Sequence, residues 1–214
     1  MFTGIIEEIG EIISIRKQGD FAQLAIRANH ILQDVKLGDS IAVNGVCLTV
    51  TQFSPSHFCA DVMSETLART TLGELQANSA VNLERAMSAN GRFGGHIVSG
   101  HIDGIGKIIA ITPANNSVWF KIQTTPAIMR YIIQKGSITI DGISLTVVDC
   151  EQDYFSVSII PHTLSETILG IKKVGQKVNL ENDVIGKYVE KLLQPASSSP
   201  SSTITEEFLR KVGF

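Results

Sequence analysis

The amino-acid sequence predicts an all-β protein made of two tandem β-barrels. A stretch of 45 residues recurs once along the chain, short strand-like runs crowd each half, and neither half alternates strands with helices as a parallel sheet requires.

The repeat keeps a constant spacing. Val43-Asn44-Gly45-Val46-Cys47-Leu48-Thr49-Val50 returns as Ile140-Asp141-Gly142-Ile143-Ser144-Leu145-Thr146-Val147, an offset of 97, and Val81-Asn82-Leu83-Glu84 returns as Val178-Asn179-Leu180-Glu181 at the same offset. Residues 40–84 and 137–181 share 16 identities in 45 ungapped positions, where average residue usage gives roughly three. The leading segments match at an offset one shorter, Thr3-Gly4-Ile5-Ile6-Glu7 beside Ser99-Gly100-His101-Ile102-Asp103. A unit of about 95 residues occurring twice is a pair of domains, because solenoid units run about 20 to 50 residues. The seam is expected in the Gly-rich stretch 88–95, which precedes a strand and so lacks the helix N-terminus of a phosphate loop; it reads as a hinge between domains 1–96 and 97–181.

Within the first half the β-rich runs are 11–15, 21–26, 40–43, 46–53, 58–63 and 80–85, separated by Gly, Asn, Asp and Pro. About six short strands per half suit a small closed barrel. Helical patterns are brief, at 29–35, 64–75, 126–134 and 162–169. The longest comes last, 182–193, where Val184, Ile185, Tyr188, Val189, Leu192 and Leu193 form an apolar stripe that needs a partner, either its own barrel or copies of itself. An oligomerisation helix is thus expected at 182–194. Residues 195–214 read as a Ser/Pro-rich flexible linker and a short tail helix that Thr203 and Glu206 would cap and Gly213 would stop.

Composition narrows the function classes. Hydrophobic residues make up 43% and charged ones 18%, and the net charge is −3, so the chain lacks the basic excess that neutralises a phosphate backbone. No nucleic-acid partner is expected. No apolar run reaches the ~18 residues of a membrane span, and Glu7, Glu8 and Glu11 stand where a signal peptide would be basic and then apolar. A cytoplasmic protein with free thiols at Cys47, Cys59 and Cys150 is the expectation, with no metal or haem spacing among them.

Most differences between the halves are conservative, such as Val43 with Ile140. Four are chemical: Cys47 stands opposite Ser144, Asn44 opposite Asp141, Glu65 opposite His162, and Ile5 opposite His101. Taken singly, Cys47 in an apolar strand fits an inert thiol, and Ser144 could satisfy a nearby backbone group. Thr49 and Thr146, two residues beyond them on the same strand face, favour a pocket in each half. His96 and His101 are five residues apart, which in a strand sends them to opposite faces and argues against a shared metal. Gly142-Ile143-Ser144-Leu145-Thr146 lacks the second glycine of a nucleophile elbow. A common scaffold that binds one ligand twice and treats the two copies unequally fits these differences.

The opening Met1-Phe2-Thr3-Gly4-Ile5-Ile6-Glu7, the two hairpin motifs around Cys47 and Ser144, and Gly94-Gly95-His96-Ile97-Val98-Ser99-Gly100-His101-Ile102-Asp103 together resemble the riboflavin synthase family of the alpha-chain type. The likeness runs from Met1 to about Leu193. It implies two six-stranded Greek-key barrels and a C-terminal helix that assembles a homotrimer. It also implies a dismutation in which two molecules of 6,7-dimethyl-8-ribityllumazine exchange a four-carbon unit, giving riboflavin and 5-amino-6-(ribitylamino)uracil, with no metal and no cofactor. Lumazine synthase is a further partner that the likeness brings into view.

In the family the site lies between the N-terminal barrel of one subunit and the C-terminal barrel of the next. The contacting positions carry over to Gly4, Ile5 and Ile6; Cys47, Leu48 and Thr49; Asp61, Val62, Met63, Ser64, Glu65 and Thr66; Gly100, His101 and Ile102; Lys135; Ser144, Leu145 and Thr146; and Ile159, Ile160, Pro161, His162, Thr163 and Leu164. At His162 other members carry Glu. On this reading His101 moves the proton of the acidic 7-methyl group, Cys47 and Ser144 activate or supply a nucleophile at the ring, Asp141 tunes Ser144, and Lys135 stabilises the anion. The competing expectation is a lumazine or flavin carrier, as in luminescence antenna proteins that resemble the same family. A carrier needs the pockets but not the reactive set.

Overall fold

The computed structural model describes residues 1–194 and 206–213. Residues Met1–Val184 form one compact unit and Ile185–Phe214 a second. In the first unit, β1 (Glu8–Gln18), β2 (Phe21–Arg27), β3 (Ser40–Val43), β4 (Val46–Ser54), β5 (His57–Met63) and β6 (Ala80–Arg85) close in the ring order β1-β2-β5-β4-β3-β6. The second half repeats it. β7 (Gly104–Ala114), β8 (Ser117–Gln123), β9 (Ser137–Ile140), β10 (Ile143–Cys150), β11 (Tyr154–Ile159) and β12 (Lys177–Asn182) close as β7-β8-β11-β10-β9-β12.

Alternation sets which side chains fill each ring. Ala22, Leu24 and Ile26 of β2 point inward with Ile41, Phe58 and Leu83, and Phe120 and Ile122 of β8 point inward with Ile138, Phe155 and Leu180. The duplication extends to irregularities. Register shifts between Ile12 and Ser14 and between Val50 and Gln52 recur between Ile108 and Ala110 and between Val147 and Asp149, bending the strands at matching points of both rings.

The expected helices are shorter than their sequence patterns. The pattern at 64–75 is split into α1 (Ser64–Arg69) and a 3-10 turn, Thr71–Glu74, and that at 162–169 into α3 (Pro161–Ser165) and the turn Ile168–Ile171. At each break a threonine is extended, Thr70 at φ −129 and Thr167 at φ −137, and its hydroxyl donates to the carbonyl four residues back. The pattern at 126–134 gives only α2 (Pro126–Met129), and that at 29–35 only a 3-10 turn, His30–Leu32. The last expected helix forms as α4 (Val184–Leu193), on which Ile185, Tyr188, Val189, Leu192 and Leu193 are exposed. The tail helix forms as α5 (Glu206–Lys211) before Gly213; the linker expected at 195–202 and Thr203 lie outside the described residues.

Two leading segments bind the halves together. Residues 1–7 and 97–103 run antiparallel, Phe2 N donating to Val98 O at 2.8 Å and Val98 N to Phe2 O at 3.2 Å. They then cross over: Ile6 packs with the core of the second barrel and Ile102 with that of the first. Beside them the Asn44-Gly45 and Asp141-Gly142 turns, with φ of 46, 80, 45 and 84, have the left-handed conformation of tight hairpins. Asn82 and Asn179 stitch these turns. Asn82 Nδ2 donates to Asp141 O and Asn179 Nδ2 to Asn44 O, both at 2.9 Å, and both asparagines are fully buried.

Candidate functional site

The β3–β4 hairpin turns sharply at Asn44-Gly45, so Cys47 emerges at the start of β4 on the outer face while Val46, Leu48 and Val50 face the core. The crossed-over segment 97–103 lies against it, Cys47 N donating to Gly100 O at 2.9 Å. Gly100 has φ +82, and a Cβ there would stand 2.6 Å from Cys47 Cβ, so a side chain is excluded where the segment touches the strand. Around this contact lies a cavity of about 260 Å³, lined by Val46, Cys47, Met63, Glu65, Thr66, Arg69, Thr70, Gly100, His101 and Ile102. Glu65 and Arg69 are paired at 2.9 Å on α1.

The second half repeats the contact with other chemistry. Ser144 N donates to Gly4 O at 2.8 Å, and a Cβ on Gly4 (φ +78) would stand 2.6 Å from Ser144 Cβ. The positions equivalent to the first cavity are Ile143, Ser144, Ile160, His162, Thr163, Glu166, Thr167, Gly4, Ile5 and Ile6. Because the leading segments cross, His101 joins Cys47 on the first barrel, whereas Ile5 belongs with Ser144 on the second.

Ser144 has a partner that Cys47 lacks in the repeat. His96 Nδ1 lies 2.7 Å from Ser144 Oγ, and its Nε2 3.2 Å from Thr139 Oγ1. A neutral imidazole has one donor and one acceptor, so the two hydroxyls take opposite roles on it. Burial pushes the His96 pKa below its ordinary value, opposed by the Asp183 carboxylate, so the ring favours its neutral form. Comparison of the two halves misses His96, which has no counterpart in the repeat; its only signal in the sequence is the Gly94-Gly95-His96 motif.

The Asp141 side chain, expected to tune Ser144, ties the β9–β10 hairpin to β12 within the second barrel, while its backbone carbonyl takes the bond from Asn82 of the first. Its carboxylate is completely buried; Oδ1 accepts from Asn179 N at 2.8 Å, as Asn44 Oδ1 does from Asn82 N, and Oδ2 faces Lys172 Nζ at 3.2 Å. Burial pushes its pKa up, opposed by the Lys172 cation. The other expected contacts divide. Met63, Glu65, Thr66, Gly100, His101 and Ile102 meet at the Cys47 cavity, while Leu48, Val62 and Ile159 point into the cores and Leu164 packs on the second core. Thr49 and Thr146 are exposed on the strand faces that carry Cys47 and Ser144, and Leu145 is half-buried against the second core. Asp61, Ser64, Ile160, Pro161 and His162 are exposed where β5 and β11 run into α1 and α3, with Thr163 half-buried. Lys135 lies at the open end of the β9–β10 hairpin, where its N donates to Val147 O at 2.8 Å. That is three residues along β10 from Ser144, roughly 10 Å of strand.

A lumazine binding domain family model matches residues 3–86 and again 99–183. Riboflavin synthase of Actinobacillus pleuropneumoniae is 66% identical over 215 residues, with 100% of each chain covered, and that of Bacillus subtilis (strain 168) is 51% identical with the same coverage. Among solved structures, LumP complexed with 6,7-dimethyl-8-(1'-D-ribityl) lumazine superposes with a TM-score of 0.77 at 27% identity, covering 85% of this chain and 99% of that one. LumP complexed with riboflavin gives 0.79 at the same identity and coverage.

Proposed function

Since the chain belongs to the riboflavin synthase family and carries its lumazine binding domain twice, we propose that each barrel pocket holds one 6,7-dimethyl-8-ribityllumazine and that the pair dismutates to riboflavin and 5-amino-6-(ribitylamino)uracil. The observation that carries this is the unequal chemistry of two equivalent pockets, Cys47 with His101 in one and Ser144 with His96 in the other. A symmetric carrier has no use for such a difference. One lumazine must give up four carbons and the other accept them, so identical ligands need unlike acids and bases.

Each residue has a distinct task. Neutral His96, 2.7 Å from the Ser144 hydroxyl, can take its proton as the oxygen, or a water held by it, attacks the electron-poor ring. His101, exposed at the rim of the Cys47 cavity, is assigned removal of the acidic 7-methyl proton of the other lumazine, and Lys135, on the C-terminal barrel that a neighbouring subunit would bring to that cavity, stabilisation of the resulting anion. General acid–base assistance of this kind gives about 10²- to 10⁴-fold. Holding two rings face to face contributes more, about 7 to 11 kcal/mol.

The same proposal places the reacting pair between the N-terminal barrel of one subunit and the C-terminal barrel of its neighbour in a homotrimer, with the apolar stripe of α4 as the contact that assembles it and lumazine synthase as a further partner. No described helix is long and apolar enough to cross a membrane. A cytoplasmic setting completes the reading, in keeping with free thiols at Cys47, Cys59 and Cys150. The test is to incubate the purified chain with the lumazine and follow riboflavin fluorescence and release of the uracil. Replacing Cys47, His101 or Ser144 by Ala is expected to lower turnover far more than lumazine binding, and wild-type rates in all three variants would refute the assigned roles.

A further inference from the structure

Two carboxylates outside both pockets hold the segments that complete them. Glu84, on β6 and 4% exposed, accepts from Thr3 N at 2.7 Å and Thr3 Oγ1 at 2.9 Å through Oε1, and from Gly4 N at 3.0 Å through Oε2. Glu181, on β12 and 1% exposed, accepts from Ser99 N and Ser99 Oγ at 2.7 Å and from Gly100 N at 3.0 Å. Left-handed Gly4 and Gly100 turn successive N–H groups toward one point, forming an anion-binding nest around each carboxylate. The carbonyls of these two glycines then accept the N–H of Ser144 and of Cys47.

The contacts therefore run crosswise. Glu84 of the first barrel holds Thr3-Gly4 against Ser144 of the second, and Glu181 of the second holds Ser99-Gly100, with His101 next in the chain, against Cys47 of the first. We propose that Glu84 and Glu181 are positioning residues for the opposite pocket, each shaping the site of the barrel to which it does not belong. Only an ionised carboxylate accepts at every lone pair; an amide would turn its NH₂ toward a backbone donor that has no other partner. This rests on reading the two pockets as the paired lumazine sites.

The test uses the full-length protein with E84Q and E181Q, and two thiol probes: Cys47 itself, and a thiol placed by S144C in a C47S background. Iodoacetamide labelling is followed peptide by peptide, beside kcat and KM for riboflavin formation in the chain with native Cys47 and Ser144. Loss of charge-assisted hydrogen bonds loosens a segment enough to change labelling about tenfold. E181Q is expected to speed labelling at Cys47 and leave position 144 unchanged, E84Q to do the reverse, and both to lower kcat. Should either glutamine variant fail to fold, Ser99→Ala and Thr3→Ala remove one bond from each clamp and are expected to give the same crossed pattern with smaller changes. Equal responses of both thiols to either variant, or no response, would overturn the proposal. A wild-type chain that forms no riboflavin would sink the lumazine reading, whereas the crossed labelling tests the clamps independently of turnover.

Discussion

Replacing Lys172 by Leu tests how the seam between the barrels tolerates a charge. The repeat puts Leu75 opposite Lys172 and Asn44 opposite Asp141, so the first half has a neutral amide with an apolar neighbour where the second has a carboxylate with an ammonium. Asp141 is completely buried, and the Lys172 side chain is 16% exposed with Nζ 3.2 Å from Oδ2. K172L removes the cation that faces a buried carboxylate, a change that costs about 3 to 5 kcal/mol. The lower end applies, because burial already pushes the Asp141 pKa up and the group can protonate. At about 2 to 4 °C per kcal/mol for a chain of this size, a loss near 3 kcal/mol lowers Tm by roughly 6 to 12 °C. The double variant D141N/K172L recreates the first half's arrangement and is expected to lie within about 1 kcal/mol of wild type. Urea unfolding and calorimetry at pH 7 measure both. The K172L deficit is further expected to shrink as pH falls: a raised folded-state pKa favours the protonated fold, so stability is retained in acid and lost as pH rises through that pKa. A K172L protein as stable as wild type, or a double variant no better than K172L, would refute the reasoning.

Three other outcomes are expected. G100A forces a side chain into a left-handed position 2.6 Å from Cys47 Cβ and is expected to cost about 1 to 3 kcal/mol in urea unfolding, with lower turnover. The depressed pKa of His96 means that the unfolded chain binds its proton more tightly, so the His96 contribution to stability is full above its ordinary value near 6.5 and is lost as pH falls toward the folded-state value; H96N should flatten Tm between pH 8 and 5. Deleting residues 185–214 is expected to give monomers by light scattering with poor turnover, and a fully active monomer would remove the role given to α4.

Much of this architecture was legible because the duplication keeps one spacing from Ser40 to Glu84 and from Ser137 to Glu181, and because period-two burial in strands such as 21–26 admits few alternatives. The helices were overdrawn where Thr70 and Thr167 turn their hydroxyls onto the preceding turn, a local bond that an apolar period does not reveal. Cys47, His101 and Ser144 stood out as chemical exceptions between two copies. His96 did not, since comparison needs a counterpart. Asp141 stood out as well, but its ion pair did not. Its neighbour Lys172 is 31 positions away in sequence, and the pairing exists only once the 3-10 turn at Ile168–Ile171 is laid against the β9–β10 hairpin. The exchange of leading segments was equally hidden, because motif similarity says which residues match but not which barrel each one serves.

Ring closure also governs how copies of this chain can meet. In both circles every strand has a neighbour on each side, so backbone is left unladdered only where long strands overrun a neighbour, as at 14–18 of β1 and 110–114 of β7. Those overhangs are short and each already carries a partner on its other edge. Closure thus narrows main-chain zippering to strand ends and leaves most of assembly to surfaces whose composition can be tuned residue by residue.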